Sequence, residues 1–206
     1  MNEETNLQEQ AKPALNIASV SKSAFVKTYV LTVSIYFPKT HKRAGEPTCF
    51  VEKILSEQIA CGLISKNEVE KYEPFSMFIF NTDTPKIHTV RANYPLWKKR
   101  IDQVQKGEAI VSLRFWSGKP YNSKQIEFCQ LDKNSGVGIQ ALYFEFERLL
   151  EPFVSMEDSE NGTQTYLSTH EIAVNDGLIY PDFKEWFKSY KLNEPMAIIH
   201  FTHYRY

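Results

Sequence analysis

At 206 residues, 42% of them hydrophobic and 14% aromatic, the chain is long enough to bury the core of one domain and too apolar to be disordered. Its apolar stretches, such as 77–80 and 109–113, fall far short of the roughly 20 residues of a membrane span, and the polar start MNEETNLQEQAKPALN holds no apolar signal core. The expectation is therefore a protein that neither spans a membrane nor is secreted, located in the cytoplasm.

The net charge of −1 hides an asymmetry. Residues 84–124 carry nine Lys/Arg against two acids, and residues 145–176 carry eight acids against Arg148. A basic block inside a neutral protein points to an anionic ligand such as nucleic acid or a nucleotide, unless the two blocks neutralise each other in the fold.

Residues 1–22 lack hydrophobic periodicity and read as a flexible tail, leaving 23–206 as a single domain. The β-branched and aromatic run 25–37 predicts a long first strand. After a basic loop, Thr48 is placed to cap a helix with Val51, Ile54, Leu55 and Ile59 on one face and Gly62 as its stop. Ser65 and Glu68 form a capping box for a short helix ending near Tyr72, and 77–80 reads as a buried strand. Residues 87–91 read as a strand. Asn93 and Pro95 start a helix that turns Leu96, Trp97, Ile101 and Val104 inward and closes at Gly107. Residues 109–116 and 125–131 are the arms of a hairpin, 137–147 is a further strand, and 157–162 (EDSENG) is a solvated loop. Ser168 and Glu171 form a second capping box, opening a helix that stops at Gly177. Phe183, Trp186, Phe187 and Tyr190 predict an amphipathic helix, and 196–206 a last strand. About seven strands mixed with four or five short helices give an α+β class, with a closed or half-closed small mixed barrel flanked by the helices.

The spacing Lys86-x-x-Thr89-x-Arg91 resembles the Lys-x-x-Thr-x-Arg signature of the ASCH family, a branch of the PUA-like β-barrels. Three further stretches resemble the family in the right chain order. Lys106-Gly107-Glu108 precedes a strand; Ala173 to Leu178 with Phe183 and Trp186 is similar to its Ala-x-x-Glu-Gly-Phe helix pair; Ile198 to Phe201 is similar to its closing strand. The likeness covers roughly residues 25–36 and 84–206. Residues 37–83 then read as a helical insertion, Pro85 replaces the family's usual Gly-x, and Asp176 stands where many members have Glu.

The small ASCH members that hydrolyse acylated cytidine use the Lys, Thr and Glu of this pattern, so the resemblance implies Lys86 as base, Thr89 as nucleophile and Asp176 as the orienting acid. A lysine desolvated near a second cation such as Arg91 has a lowered pKa and serves as a base. On an unbroken strand, however, Thr89 and Arg91 share one face and Lys86 the other, so a common site needs a bend near Ile87. The shorter Asp176 also withdraws the carboxylate by one methylene.

A second constellation is the loop Arg114-Phe-Trp116-Ser-Gly-Lys119-Pro-Tyr121-Asn-Ser-Lys124. Its cations interleaved with Trp116 and Tyr121 suit a stacked base with its phosphate held nearby, or equally a plain hairpin tip. With Arg91 these residues form the expected binding set. The three cysteines, Cys49, Cys61 and Cys129, are read as reduced and mostly buried. His200 and His203 are expected on opposite faces of a strand, and no metal or organic cofactor is implied. The reading that results is an RNA- or nucleotide-binding module with a basic cleft at the barrel mouth. Its alternatives are an amidohydrolase acting on N-acylated nucleobases and a protein-interaction module.

Overall fold

The computed structural model describes residues 26–69, 84–144, 152–155 and 164–206. Among them are eight strands and five helices, in the order β1 (Lys27–Thr32), α1 (Phe50–Ala60), α2 (Lys66–Val69), β2 (His88–Arg91), α3 (Tyr94–Gln105), β3 (Ala109–Trp116), β4 (Gln125–Leu131), β5 (Gly138–Phe144), β6 (Pro152–Ser155), β7 (Gln164–Tyr166), α4 (Thr169–Asn175), α5 (Tyr180–Phe187) and β8 (Met196–His200). The expected α+β class holds. The strands form a three-stranded sheet, β1-β3-β4, and a five-stranded one, β2-β8-β5-β6-β7. β1 runs parallel to β3, and all other pairings are antiparallel. Among the described residues no strand pairing joins the two sheets, so of the closed or half-closed barrel expected from the sequence the closed form is not made by them.

Local chemistry explains most boundaries. The hairpin arms β3 and β4 lie where the β-rich runs predict them. Asn93 takes a left-handed φ of 65° and its side chain accepts from Leu96 N at 3.2 Å, which starts α3 as expected. Leu96 itself is 40% exposed, a correction: Ile101 and Val104 fill the buried stripe, with Trp97 partly packed against it. The first strand is shorter than predicted. After Thr32 the chain leaves the sheet, and a bridge from Tyr36 to Pro47 closes the basic loop instead. Thr48 is not the N-cap of α1; that is Cys49, at φ 55°, while Thr48 Oγ1 accepts from Phe50 N at 3.4 Å and donates to Ser34 O at 2.6 Å.

Two other capping expectations differ. Ser168 caps α4 without a side-chain hydrogen bond, and Glu171 accepts from the Tyr204 hydroxyl at 3.3 Å instead. The predicted strand 77–80, the end of the second helix, the 157–162 loop and most of the acidic block lie outside the described residues. Strands β6 and β7 were missed, because each is only three or four residues long. β8 ends at His200, short of the strand predicted over 196–206, and is buried at every position. A central strand covered on both faces has no polar side to alternate with. Of the cysteines Cys129 alone is buried; Cys49 is half-buried and Cys61 exposed.

The described part of the 37–83 segment, 37–69, packs onto the body of the fold. α1 buries Phe50, Val51, Ile54 and Leu55, each stabilising by about 1.5–3 kcal/mol. Gln58 Nε2 donates to Phe201 O at 2.6 Å, tying α1 to the end of β8. The basic loop is pinned to α5 by Arg43, whose Nη1 meets Asp182 Oδ2 at 2.6 Å, and by His41, whose Nε2 lies 3.2 Å from Asp182 O.

Candidate functional site

β2 is an edge strand of the five-stranded sheet, and its outer edge is covered by the turn that ends α4. Gly177, at φ 77°, permits that turn. Asp176 forms an antiparallel bridge with Lys86, and its Oδ1 accepts from Val90 N at 3.3 Å, occupying an edge N–H that would otherwise be unpaired. The regular strand begins at His88, two residues after Lys86.

Lys86 Nζ donates to Asp176 Oδ1 at 2.9 Å and to Asp176 O at 2.5 Å. Phe50 of α1 lies over the ammonium, with its ring centroid 4.0 Å from Nζ. Lys53 of the same helix donates to Gly177 O at 2.7 Å. α1 therefore roofs the pair, and Lys86, Thr89 and Asp176 are only 1%, 2% and 4% exposed. Burial pushes the Lys86 ammonium down to about 8 against the pull of Asp176, and the nearby charges of Arg91 and Lys53 push the same way. Burial also raises the Asp176 carboxyl above its usual range, while Lys86 and Arg91 draw it back.

Of the three residues that the ASCH pattern joins, two meet. Among the described residues the Thr89 hydroxyl makes no hydrogen bond with Lys86 or Asp176. Thr89 pairs with Ile199, and the strand period puts it on the face opposite His88. Arg91 lies in the same electrostatic neighbourhood but donates through Nη2 to Thr32 O at 2.9 Å, linking the two sheets.

The hairpin constellation belongs to β3 and β4 of the other sheet. Arg114 Nε donates to Ser112 Oγ at 2.7 Å and Nη2 approaches Glu127 Oε2 at 3.4 Å, so this guanidinium braces the two arms. The tip is ordered by Ser117 N to Lys124 O at 2.9 Å, Gly118 N to Ser123 Oγ at 3.0 Å and Ser123 Oγ to Lys119 O at 2.9 Å. From it Tyr121 projects at 88% exposure and φ 65°, its ring centroid 5.4 Å from that of half-buried Trp116. Lys119 and Lys124 flank it, both exposed.

No family model matches the chain, and no curated protein or solved structure is significantly similar to it.

Sequence reasoning missed a polar cluster beside the Lys86–Asp176 pair. His88 Nδ1 lies 3.8 Å from Asp176 Oδ1, and its Nε2 lies 2.7 Å from the Tyr206 hydroxyl. His200, opposite His88 in the register, bonds through Nε2 with Gln140 Oε1 at 2.9 Å. Both imidazoles are held neutral. Burial, then His200 and Lys86, keep His88 well below its usual range; burial, then Arg205, push His200 down to about 3. The signal available was a histidine inside the Lys-x-x-Thr motif and another inside the apolar run MAIIHF, but only strand pairing brings them together. His203, by contrast, is exposed beyond the strand. Among the described residues no group of three His, Cys, Asp or Glu is arranged to hold a metal ion, and no helix is long and apolar enough to cross a membrane.

Proposed function

We propose that this chain is a PUA/ASCH-like module that binds single-stranded RNA through the β3–β4 hairpin. The observation that carries this reading is Tyr121, held 88% exposed at a positive φ on an ordered tip, beside Trp116 and between two exposed lysines. A left-handed tyrosine costs about 1 kcal/mol, and strain of this kind gathers at recognition sites. An exposed ring next to a second ring offers a base two stacking surfaces, and stacking contributes about 1–3 kcal/mol per base. Arg114 braces the two arms through Ser112 and Glu127. Fluorescence anisotropy of a labelled single-stranded RNA tests the proposal at low salt. Tyr121→Ala is expected to weaken binding about tenfold. An RNA affinity unchanged by Tyr121→Ala, or none in the wild type, sinks it and leaves the hairpin as a protein-contact loop.

A second reading, an amidohydrolase acting on N-acylated cytidine, is favoured by one observation: Lys86, poised near pKa 8, is hydrogen-bonded to Asp176. A base near neutrality suits proton abstraction. Phe50 covers this pair and Thr89 faces elsewhere, so turnover requires α1 to move and the β2 edge to rearrange. Incubation with N4-acetylcytidine, with Thr89→Ala in parallel, decides it. Release of cytidine by the wild type alone supports hydrolysis, and no release by either leaves Lys86–Asp176 a structural pair.

A further inference from the structure

β1 is an edge of the three-stranded sheet. Lys27 N donates to Glu108 O at 3.3 Å and Val33 N to Arg114 O at 2.8 Å, so the odd-numbered residues of β1 spend their backbone groups on β3. Those of Thr28 and Val30 point the other way, and among the described residues nothing bonds to them. The edge closes at Thr32, whose carbonyl accepts from Arg91 Nη2 at 2.9 Å. Val26 and Val30, 50% and 38% exposed, share the outer face of the strand with Thr28. Backbone groups left open in this way are a template for another strand.

The opposite face of β1 meets α3, where the Tyr29 hydroxyl donates to Gln103 Oε1. The Arg100 guanidinium carbon lies 4.8 Å from the Trp97 ring centroid and 5.3 Å from that of Tyr29, and Lys27 Nζ lies 4.9 Å from the Tyr29 centroid. A cleft of about 510 Å³ runs along α3, and two of its lining residues, Gln103 and Glu108, are those bonded to β1. Of the two acids that line it, Asp102 is spent on Lys98, which leaves Glu108 against Lys99 and Lys106. Among the described residues no carboxylate pairs with Lys27, Lys99, Arg100 or Lys106. A guanidinium held by two rings, with its N–H edges unspent, is preorganised for a carboxylate.

We propose that the β1 edge takes up an extended acidic peptide of a partner protein as a further strand, paired with Thr28 and Val30 and held by Arg100 and Lys27. Side chains alternate along a strand, so carboxylates at every second residue of the peptide fall on the α3 side, towards the two cations. The residues between them fall beside Val26 and Val30. Charge selects this occupant. A second copy of β1 would set Lys27 and Arg100 against their own counterparts, and like charges across a strand pair are destabilising. A nucleic acid carries no ladder of N–H and C=O groups to match the open edge. The inference goes beyond the RNA-binding reading of the hairpin and does not rest on it.

The probe is a labelled peptide of about eight residues, an ordinary strand length, that alternates glutamate with valine and threonine. Fluorescence anisotropy with the full chain is expected to show binding, and none for the same peptide with lysine in place of glutamate. Arg100→Ala is expected to weaken binding about tenfold, the loss of one charge-assisted pair. Val30→Pro removes an outward N–H, spares every bond to β3 and is expected to weaken binding about as much. It decides the matter if Arg100→Ala fails to fold, with circular dichroism reporting the fold of each variant. No binding by the wild type, equal binding of the lysine peptide or of a block peptide of the same composition, or no loss in the folded variants overturns the inference. Binding that appears only once Glu3, Glu4 and Glu9 are changed to Gln also overturns it, and makes the chain's own start the occupant. Self-association abolished by Val30→Pro makes the occupant a second copy, and a loss of RNA affinity in Arg100→Ala with no peptide bound assigns the patch to RNA. None of the changed residues lies in the hairpin, so RNA binding by that loop is scored separately in the same proteins.

Discussion

Lys86 is the residue on which the site's energetics turn. A buried ammonium with one carboxylate partner is stable only as a pair, so removing either member alone strands a charge under Phe50. Asp176→Asn is expected to cost about 3–5 kcal/mol in urea unfolding, whereas Lys86→Met combined with Asp176→Asn returns to within about 1–2 kcal/mol of wild type. A double variant as unstable as the single one would show that the pair is not what the buried charge requires. The pH dependence follows from the same burial. The Lys86 pKa falls to about 8 in the folded chain from its ordinary 10.5. Between these values the unfolded chain holds a proton that the folded chain has lost, so stability from this group rises with pH there. Below pH 8 it is protonated in both states and contributes no slope. Relative to the double variant, the wild type is expected to gain about 3 kcal/mol from pH 8 to pH 10.5, read as the difference between two urea titrations; a loss over that range would contradict the assigned shift.

At the scale of elements, the decisive contact is α1 on the α4–β2 edge. Gly177 lets the chain turn so that Asp176 faces Lys86, and a Cβ there would meet Lys86 Cβ at 3.1 Å with φ at 77°. Gly177→Ala is therefore expected to destabilise by about 1–2 kcal/mol and to loosen the Lys86–Asp176 pair, seen as a Lys86 ammonium that reacts faster with an acylating reagent. Phe50→Ala removes the roof without touching the turn. It is expected to cost about 3–5 kcal/mol and to raise the same reactivity further. Unchanged reactivity in Phe50→Ala would mean that α1 does not guard the lysine. The helices themselves were legible from spacing and caps, as Asn93 and Gly107 show for α3. What α1 covers was not, because a helix's apolar stripe states that it packs and never against what.

Across the whole molecule, the basic block divides between structural and exposed roles. Lys86, Arg91, Lys98 and Arg114 are committed to Asp176, Thr32 O, Asp102 and Glu127, while Lys119 and Lys124 flank the exposed tyrosine. RNA affinity is accordingly expected to fall with salt, and each of Lys119→Ala and Lys124→Ala to reduce the log–log slope by about 0.7. Arg91→Ala is expected to lower stability and leave the slope unchanged. By itself the sequence determined the α+β class, the hairpin arms, most helix limits and the candidacy of Lys86, Thr89, Arg91 and Asp176, since periodicity, caps and motif spacing are local properties of the chain. Tertiary structure alone decided that the strands form two sheets, that Asp176 meets Lys86 while Thr89 turns away, and that His88, His200, Gln140 and Tyr206 share one face. Those outcomes depend on strand register and on side-chain contacts between residues up to 118 apart, and register is fixed by which faces are buried together, which no single segment encodes.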